Sequence, residues 1–363
     1  MDNHSKTSWT KEEIIAIYSK PLLELVFEAA NVHRQYHDPN KVQISSLISI
    51  KTGGCPEDCG YCPQAARYHT NITTNDLMSV SQVKAQALRA KQHGISRVCL
   101  GAAWRNVKDG EEFDQVLDMV RSITKLNMEV CCTLGMLTEN QAKRLEEAGL
   151  YAYNHNIDSS EDYYKEVIST RGFEDRLQTI GNVRKTSITI CSGGIIGMGE
   201  SVEDRCDMLR ILANMTPQPE SVPINALVAV EGTPMEDQQP VSIFEMVRMV
   251  ATARIVIPRT QVRLSAGRTS MSHEGQTLCF LAGANSIFAG DKLLTTPNPD
   301  INEDKKLFEV LGIVPQAPFE KHPKREVVEA EKATPGLGEN PRWTRPAHTI
   351  ERNEAAKEKA KSV

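Results

Sequence analysis

Short apolar runs alternate with longer amphipathic stretches along most of the chain. The short runs have the length of buried strands, whereas the longer stretches place apolar residues at helical spacing. The predicted strands lie near residues 43–50, 97–103, 129–134, 152–157, 187–191, 222–228, 261–266 and 286–289. The predicted helices lie near residues 81–92, 111–126, 139–148, 174–185, 202–213, 242–255, 273–281 and 303–311.

Eight strand-then-helix units follow one another without a break in composition. Alternation of this kind predicts an α/β protein with a parallel sheet, and eight units suit a closed (β/α)8 TIM-type barrel. An open, doubly wound sheet is the alternative, because a count of units does not show closure.

The two ends of the chain differ from its middle. Ahead of the first strand, residues 10–13 form a capping-box pattern and Pro21 suits a second helix start, which predicts an N-terminal helical extension over residues 1–42. From residue 320 onward, charges of both signs, Pro and Gly replace apolar residues. This composition predicts a disordered tail over residues 320–363 and leaves residues 43–319 for the barrel.

Composition narrows the class of function. The chain has 363 residues with 42 Lys and Arg against 47 Asp and Glu, a net charge of −5, and 5% aromatic residues. Nucleic-acid binding needs clustered basic and aromatic residues, so we expect none. No apolar run has the length of a membrane span or a secretory signal, so we expect no membrane contact and a cytoplasmic location. In that location the nine cysteines indicate metal or redox chemistry rather than disulfides.

Three of these cysteines share one loop after the first predicted strand. Cys55, Cys59 and Cys62 lie in the Gly- and Pro-rich segment TGGCPEDCGYCP, where three thiols can converge on one metal centre at the catalytic face of a barrel. Three thiolates are one short of a closed zinc site or of the usual four around an iron–sulfur cluster, so one metal position stays open for chemistry. The alternative is a zinc loop with a distant fourth ligand such as His69.

This loop, with Tyr61 directly before the third cysteine, resembles the radical S-adenosylmethionine enzymes. The resemblance implies that Cys55, Cys59 and Cys62 hold a [4Fe–4S] cluster, and that its open iron binds the amino and carboxylate groups of S-adenosylmethionine. It also implies a barrel fold, which agrees with the separate count of strand–helix units.

Further cysteines and one arginine lie inside predicted strands. Cys99, Cys131 and Cys191 would each usually be small buried hydrophobes. Arg263 changes that interpretation, because a buried guanidinium needs an anionic partner and thiolates or sulfides would serve. A second, buried metal–sulfur centre is therefore one hypothesis. An arginine that binds a substrate carboxylate is another, and a metal-free thiol core is a third. The neighbouring Cys132 must face the opposite way from Cys131, and the pattern alone does not choose between them.

The segments around these residues extend the resemblance over residues 43–315. They are TGGCPEDCGYCPQ, MEVCCTLG, YNHNIDSS, CSGGIIGMGE, PINALV, VRLSAGR and LLTTPNP. They resemble the radical S-adenosylmethionine enzymes that insert sulfur into dethiobiotin. The resemblance implies a [2Fe–2S] cluster that donates the sulfur, with Cys131 taking the family's position rather than Cys132. Its implied ligands are Cys99, Cys131, Cys191 and Arg263.

Polar residues alternate at the end of the fourth predicted strand, in the segment 154–158. Such groups need partners, which a polar ligand or a network between strand ends and loops could supply. The resemblance implies that the S-adenosylmethionine contacts are Tyr61, Asn156, Asp158, Arg176 and Ile195. It implies that the dethiobiotin contacts are Asn154, Asn225, Thr295 and Thr296. We expect His155 to face the helix layer. As partners the resemblance implies a second copy in a homodimer, a flavodoxin- or ferredoxin-type electron donor and the iron–sulfur assembly machinery.

Overall fold

The computed structural model of the protein describes residue 6, residues 8–290 and residues 292–320. Its centre is a barrel of eight parallel strands surrounded by helices. The strands are β1 Lys41–Lys51, β2 Arg97–Ala102, β3 Glu129–Thr133, β4 Ala152–Asn154, β5 Thr189–Cys191, β6 Gly194–Ile196, β7 Ser221–Ala226, β8 Gln261–Leu264, β9 Ser286–Phe288, β10 Lys292–Leu293, β11 Thr296–Pro297 and β12 Val314–Pro315. The α-helices are α1 Lys11–Tyr18, α2 Leu22–Tyr36, α3 Val80–Gln92, α4 Glu111–Thr124, α5 Glu139–Glu147, α6 Glu161–Val167, α7 Phe173–Arg184, α8 Val202–Ala213, α9 Ile243–Val256, α10 His273–Leu281 and α11 Ile301–Leu311.

The main sheet closes on itself. Its strand order is β1-β2-β3-β4-β5-β7-β8-β9, every neighbouring pair is parallel, and β9 pairs with β1 through Gln43 and Ser286. The (β/α)8 barrel is therefore confirmed, and the open doubly wound sheet is excluded. The eight predicted strands correspond to these eight strands.

The helices pack around the barrel as their apolar faces require. Four helices, α1, α3, α5 and α8, begin at side-chain capping boxes, which satisfy backbone N–H groups at the first turn. As expected, two helices precede β1, and they pack on α8 and α9. The boundaries of the barrel remain a prediction, and the tail expected from residue 320 lies outside the described residues except for its first residue.

Four short elements were not predicted: α6, β6, the antiparallel hairpin β10–β11, and β12. β6 pairs with β7, and β12 pairs with the first two residues of β1 at the amino end of the barrel. β4 ends at Asn154, three residues before its predicted end. Close backbone packing accompanies β6, because a Cβ on Gly193 would lie 2.0 Å from the Pro223 carbonyl oxygen.

Candidate active site

A cavity of about 320 Å³ lies at the carboxyl ends of the barrel strands. Parallel strands bring their carboxyl ends to one face, so residues far apart in sequence meet there. All site residues predicted from the sequence line this cavity, with the exception of Cys191. They are Cys55, Cys59, Tyr61, Cys62, Cys99, Cys131, Asn154, Asn156, Asp158, Arg176, Ile195, Asn225, Arg263, Thr295 and Thr296.

The cysteine loop folds back on itself through backbone hydrogen bonds. Cys62 N–H donates to the Cys59 carbonyl at 3.0 Å, and Ala66 N–H donates to the Cys55 carbonyl at 2.7 Å. Gly53 enters the loop with a φ of 74°, a conformation that favours glycine. Burial raises the pKa of Cys59 to about 11 and that of Cys62 to about 12. The metal-free loop therefore carries protonated thiols, and a metal would displace those protons.

An acidic residue between the cysteines anchors this loop to the connection between α6 and α7. Asp58, 1% exposed, accepts hydrogen bonds from Ser169 N–H at 2.9 Å and Thr170 N–H at 3.1 Å. Gly60 N–H donates to the Val167 carbonyl at 2.8 Å. The sequence analysis missed this role of Asp58. The acidic pair within CPEDC was a possible signal, but its partners lie more than a hundred residues away.

Arg171 lies beside the same loop and was also missed. Its Nη2 is 4.0 Å from Cys59 Sγ, and its Nη1 is 3.8 Å from the buried Glu57 carboxylate. Arg171 also lines the cavity. Cys59 therefore lies near a positive charge, which favours an anionic sulfur centre or an anionic ligand at this place.

The strand thiols lie deeper in the barrel. Cys99 and Cys131 are directly opposite each other on β2 and β3, and both belong to a small interior cluster with Phe288. Cys132 packs instead in the main core with the helices. The sequence left open which of Cys131 and Cys132 faces the barrel interior, and in the structure it is Cys131.

Cys99 and Cys131 affect each other's pKa. A hydrogen bond with Cys131 lowers the pKa of Cys99 to about 7, helped by the Arg263 and Arg97 guanidiniums. The same contact raises the pKa of Cys131. The thiolate form of Cys99 is therefore populated near neutral pH before any metal binds.

Arg263 points into the barrel interior at 1% exposure. Its Nε donates to Ser286 Oγ at 2.8 Å, its Nη2 donates to Gln43 Oε1 at 2.9 Å, and its Nη1 is 3.9 Å from Cys191 Sγ. In the part of the chain that the structure describes, no carboxylate forms an ion pair with this guanidinium. Its positive charge therefore remains available to an anion near the strand thiols.

The predicted ligand contacts already bond to one another. Asp158 and Arg176 form a buried ion pair, and Tyr61 donates to Asp158 Oδ2 at 3.1 Å. Asn154 Nδ2 lies 3.3 Å from Cys191 Sγ and 3.2 Å from Asn156 Oδ1. These contacts connect the surroundings of the cysteine loop to those of the strand cysteine Cys191.

Two asparagines also tie strands to loops, as the alternative interpretation of these polar residues proposed. Asn156 accepts from Gly193 N–H at 3.2 Å. Asn225 donates to the Gly194 carbonyl at 2.9 Å and accepts from Ala266 N–H at 3.1 Å. Both side chains line the cavity as well, so the backbone bonds fix their orientation towards it.

The hairpin β10–β11 lies over the barrel mouth. Thr295 lies in its turn and Thr296 begins β11, and Leu294 Cδ2 would lie 2.5 Å from a Cβ on Gly101 of β2. The glycine therefore lets the hairpin approach closely. The two threonines reach the cavity, although the short hairpin was not predicted.

One expectation at the site is wrong, and one alternative finds no support. His155 lines the cavity instead of facing only the helix layer, because β4 ends one residue earlier and strand alternation stops there. Burial and the nearby Arg176 and Arg171 lower the pKa of His155, so its ring is neutral. His69, the proposed fourth zinc ligand, is exposed and does not line the cavity. Among the described residues, no three His, Cys, Asp or Glu side chains form a group that could hold a single metal ion.

The helices of the described chain are all too short or too polar to span a lipid bilayer.

A model of the radical SAM superfamily matches residues 49–212, and a model of the Biotin and Thiamin Synthesis associated domain matches residues 223–314. A solved methylornithine synthase shares the fold with a TM-score of 0.71 at 19% identity, covering 85% of this chain and 94% of that structure.

Relatives of high identity cover the whole chain. A biotin synthase from Flavobacterium johnsoniae is 74% identical over 362 residues, which are 99% of this chain and 100% of the relative. A biotin synthase from Flavobacterium psychrophilum is 73% identical over 349 residues, which are 96% of each chain. The chain therefore belongs to the biotin synthase family of the radical SAM superfamily.

Proposed function

We propose that this protein forms biotin by inserting sulfur into dethiobiotin in a reaction that depends on S-adenosylmethionine. The observation that carries the proposal is the interior of the barrel, where Arg263 lies beside the Cys191 thiol and has no carboxylate partner among the described residues. Full-length identity to proteins named biotin synthase supports the same reaction. An ordinary barrel core would hold branched apolar side chains at this depth.

The cysteine loop suits a [4Fe–4S] cluster. Cys55, Cys59 and Cys62 are free, face one cavity and leave a metal position open. Neighbouring cysteines of one short loop are the usual ligands of a multi-iron cluster. These three cysteines are therefore the proposed ligands, and the open iron would bind S-adenosylmethionine.

The strand residues suit the second cluster. A [2Fe–2S] centre with thiolate ligands is anionic, and it would balance the charge of the buried Arg263. Its proposed ligands are Cys99, Cys131, Cys191 and Arg263. When bound, the first cluster and S-adenosylmethionine supply a radical that removes hydrogen from substrate carbons, and the second cluster supplies sulfur.

The side chains of the cavity hold the two organic molecules. Tyr61, Asn156, Asp158, Arg176 and Ile195 are the proposed contacts of S-adenosylmethionine. Asn154, Asn225, Thr295 and Thr296 are the proposed contacts of dethiobiotin. An asparagine amide both donates and accepts, which matches the N–H and C=O groups of a cyclic urea. Because these residues line the same cavity as the loop cysteines and the strand cysteines Cys99 and Cys131, they would hold the substrate carbon close to both sets.

Other partners follow from the family rather than from the described contacts. We propose a small flavodoxin- or ferredoxin-type protein as the electron donor, the iron–sulfur assembly machinery as the source of clusters, a homodimer as the assembly and the cytoplasm as the location. Each cluster would need electrons or inorganic sulfur that the chain itself does not supply.

Separate variants of the two thiol sets test the proposal. The protein is reconstituted anaerobically with iron and sulfide and given dethiobiotin, S-adenosylmethionine and a reductant. We expect Cys59→Ala to abolish S-adenosylmethionine cleavage, and Cys191→Ala to block biotin formation while the first cluster still assembles. Mass spectrometry measures biotin and the cleavage products, and Cys206→Ala, which removes a buried thiol on α8, serves as the control. Undiminished cleavage in Cys59→Ala, or a normal biotin yield from Cys191→Ala, would refute the assignment.

A further inference from the structure

The barrel interior is polar below the strand thiols. Cys99, Cys131 and Arg263 line the cavity, and side chains two positions apart on a strand share a face. Five inward side chains that lie closer to the amino ends of the strands are polar and at most 3% exposed. These residues, called the floor layer below, are Ser45, Arg97, Glu129, Ser221 and Gln261. Barrel interiors usually carry branched apolar residues instead.

Three atoms of the floor layer lack a protein partner. Ser45 Oγ, Ser221 Oγ and Gln261 Oε1 are buried and form no hydrogen bond within the described part of the chain. Buried polar groups are nearly always satisfied, so small polar species must supply these partners. The floor layer is therefore built to receive water and small ions.

The charge of the floor layer selects the sign of those ions. Arg97 Nε donates to Glu129 Oε2 at 2.7 Å, so these two charges balance each other. Arg263, directly above, has no such partner among the described residues. The interior between the floor layer and the thiols therefore attracts a small anion.

Residues 316–320, called the strap below, cross the amino end of the barrel beneath the floor layer. Gln316 Oε1 accepts from Gln261 Nε2 at 3.3 Å, and Phe319 N–H donates to Glu129 Oε1 at 2.7 Å. The strap therefore bonds directly to the floor layer and covers it on the side opposite the substrate cavity.

Gln316 N–H fixes the start of the strap by donating to the Val42 carbonyl at 2.9 Å, whereas the end of the strap lies at the surface. Phe319 is 40% exposed, has a φ of 61°, and meets the Tyr151 ring edge-on at 5.4 Å. Glu320 forms a partly exposed ion pair with Lys41, of the kind that contributes little to stability. A segment whose outer residues are exposed to this extent can open while the barrel stays folded.

We propose that the strap closes a second entrance to the barrel, through which hydrosulfide reaches Cys99, Cys131 and Cys191 without passing the substrate cavity. The identity of the ion rests on the proposed function, because sulfur given to the substrate has to be replaced. The entrance itself rests only on the geometry of the strap and the floor layer.

Thiol modification tests the entrance without any cofactor. The full-length, metal-free and reduced protein is treated with methyl methanethiosulfonate, and mass spectrometry follows each cysteine. We expect Phe319→Ala to speed modification of Cys99 and Cys131 about tenfold, as local opening of a surface segment allows. Cys132 is the internal control, since it lies on the same strand as Cys131 but faces the helices. Phe244→Ala removes an aromatic ring that is 57% exposed on α9, and should change nothing.

Two truncations keep the test decisive. One chain ends after Pro315 and the other after Glu320, so their difference reports on the strap alone. Equal modification of Cys131 in both chains and in Phe319→Ala would overturn the entrance. Modification of Cys132 in parallel with Cys131 would also overturn it, because the whole barrel would then be loosening.

Labelled sulfide tests the ion. Iron-loaded protein receives isotopically labelled hydrosulfide with S-adenosylmethionine and dethiobiotin present but no reductant, so that the cavity is filled without turnover. We expect the strap variants to take up the label several-fold faster than the unaltered protein and Phe244→Ala. Unchanged uptake together with faster thiol modification would refute the sulfide route. When a reductant is then added, failure of every protein to form biotin would refute the proposed function, and the thiol result would be unaffected.

Discussion

At the scale of single residues, two buried arginines differ in the partners of their guanidinium groups. Arg263 bonds to neutral side chains and lies near Cys191 Sγ, whereas Arg254 is fully buried and donates to the carbonyls of Gly283, Pro258 and Thr260. An unbalanced buried charge destabilises a fold unless an anion joins it, while a hydrogen-bonded guanidinium ties segments together. Neither arginine has a carboxylate partner among the described residues, but only Arg263 lines the cavity beside a thiol, as a residue kept for a ligand would.

This contrast gives a prediction for the metal-free protein. Arg263→Met keeps most of the side-chain volume and removes the unbalanced charge, so we expect the free energy of unfolding to rise by about 1 kcal/mol. Arg254→Met should lower it by about 3 kcal/mol, because several carbonyls lose their donor. Urea unfolding of both variants measures the difference. If Arg263→Met were as destabilising as Arg254→Met, Arg263 would be a structural residue.

At the scale of elements, Asp58 connects the cysteine loop to the segment between α6 and α7. Asp58→Ala leaves buried N–H groups of Ser169 and Thr170 without an acceptor, so we expect a loss of about 3 kcal/mol in the free energy of unfolding. The cysteine loop should also bind less iron on reconstitution. Urea unfolding and iron analysis measure both effects. Asp118→Ala removes an exposed ion pair with Arg121 and should cost at most about 0.5 kcal/mol, so an equal loss in both variants would argue against an anchoring role.

The same scale shows what the sequence predicts and what it does not. Each barrel strand and its following helix carries its own periodicity, so the closed barrel follows from local patterns. Short elements such as β6 and β12 have no periodicity, and they form because an existing strand offers hydrogen bonds. The thiols of both sites could be identified from spacing and resemblance. The partners Asp58, Arg171 and Glu129 could not, because their contacts join segments that are distant in the chain.

At the scale of the whole molecule, the thiols are arranged along the barrel from the mouth to the floor layer. The cysteine loop lies at the mouth, the strand thiols lie in the middle, and the polar floor layer lies beneath them. Outside these sites, Cys279 is buried on α10, where burial raises its pKa to about 12. Burial in an apolar setting therefore keeps this thiol protonated, in contrast to Cys99 beside its two guanidiniums.

Because Cys279 is buried, we expect the stability of the metal-free protein to fall as the pH becomes alkaline. The folded pKa of Cys279 lies above the ordinary value of 9.0, so its contribution is complete below pH 9 and is lost as the pH rises towards 12. At pH 10 the unfolded chain releases a proton that the folded chain retains, and Cys279 alone should cost about 1.4 kcal/mol. Cys279→Ala should lose less stability than the unaltered protein between pH 8 and pH 10. Urea unfolding across that range measures both slopes. Identical slopes would mean that Cys279 releases its proton equally in the folded and unfolded chains, contrary to its burial.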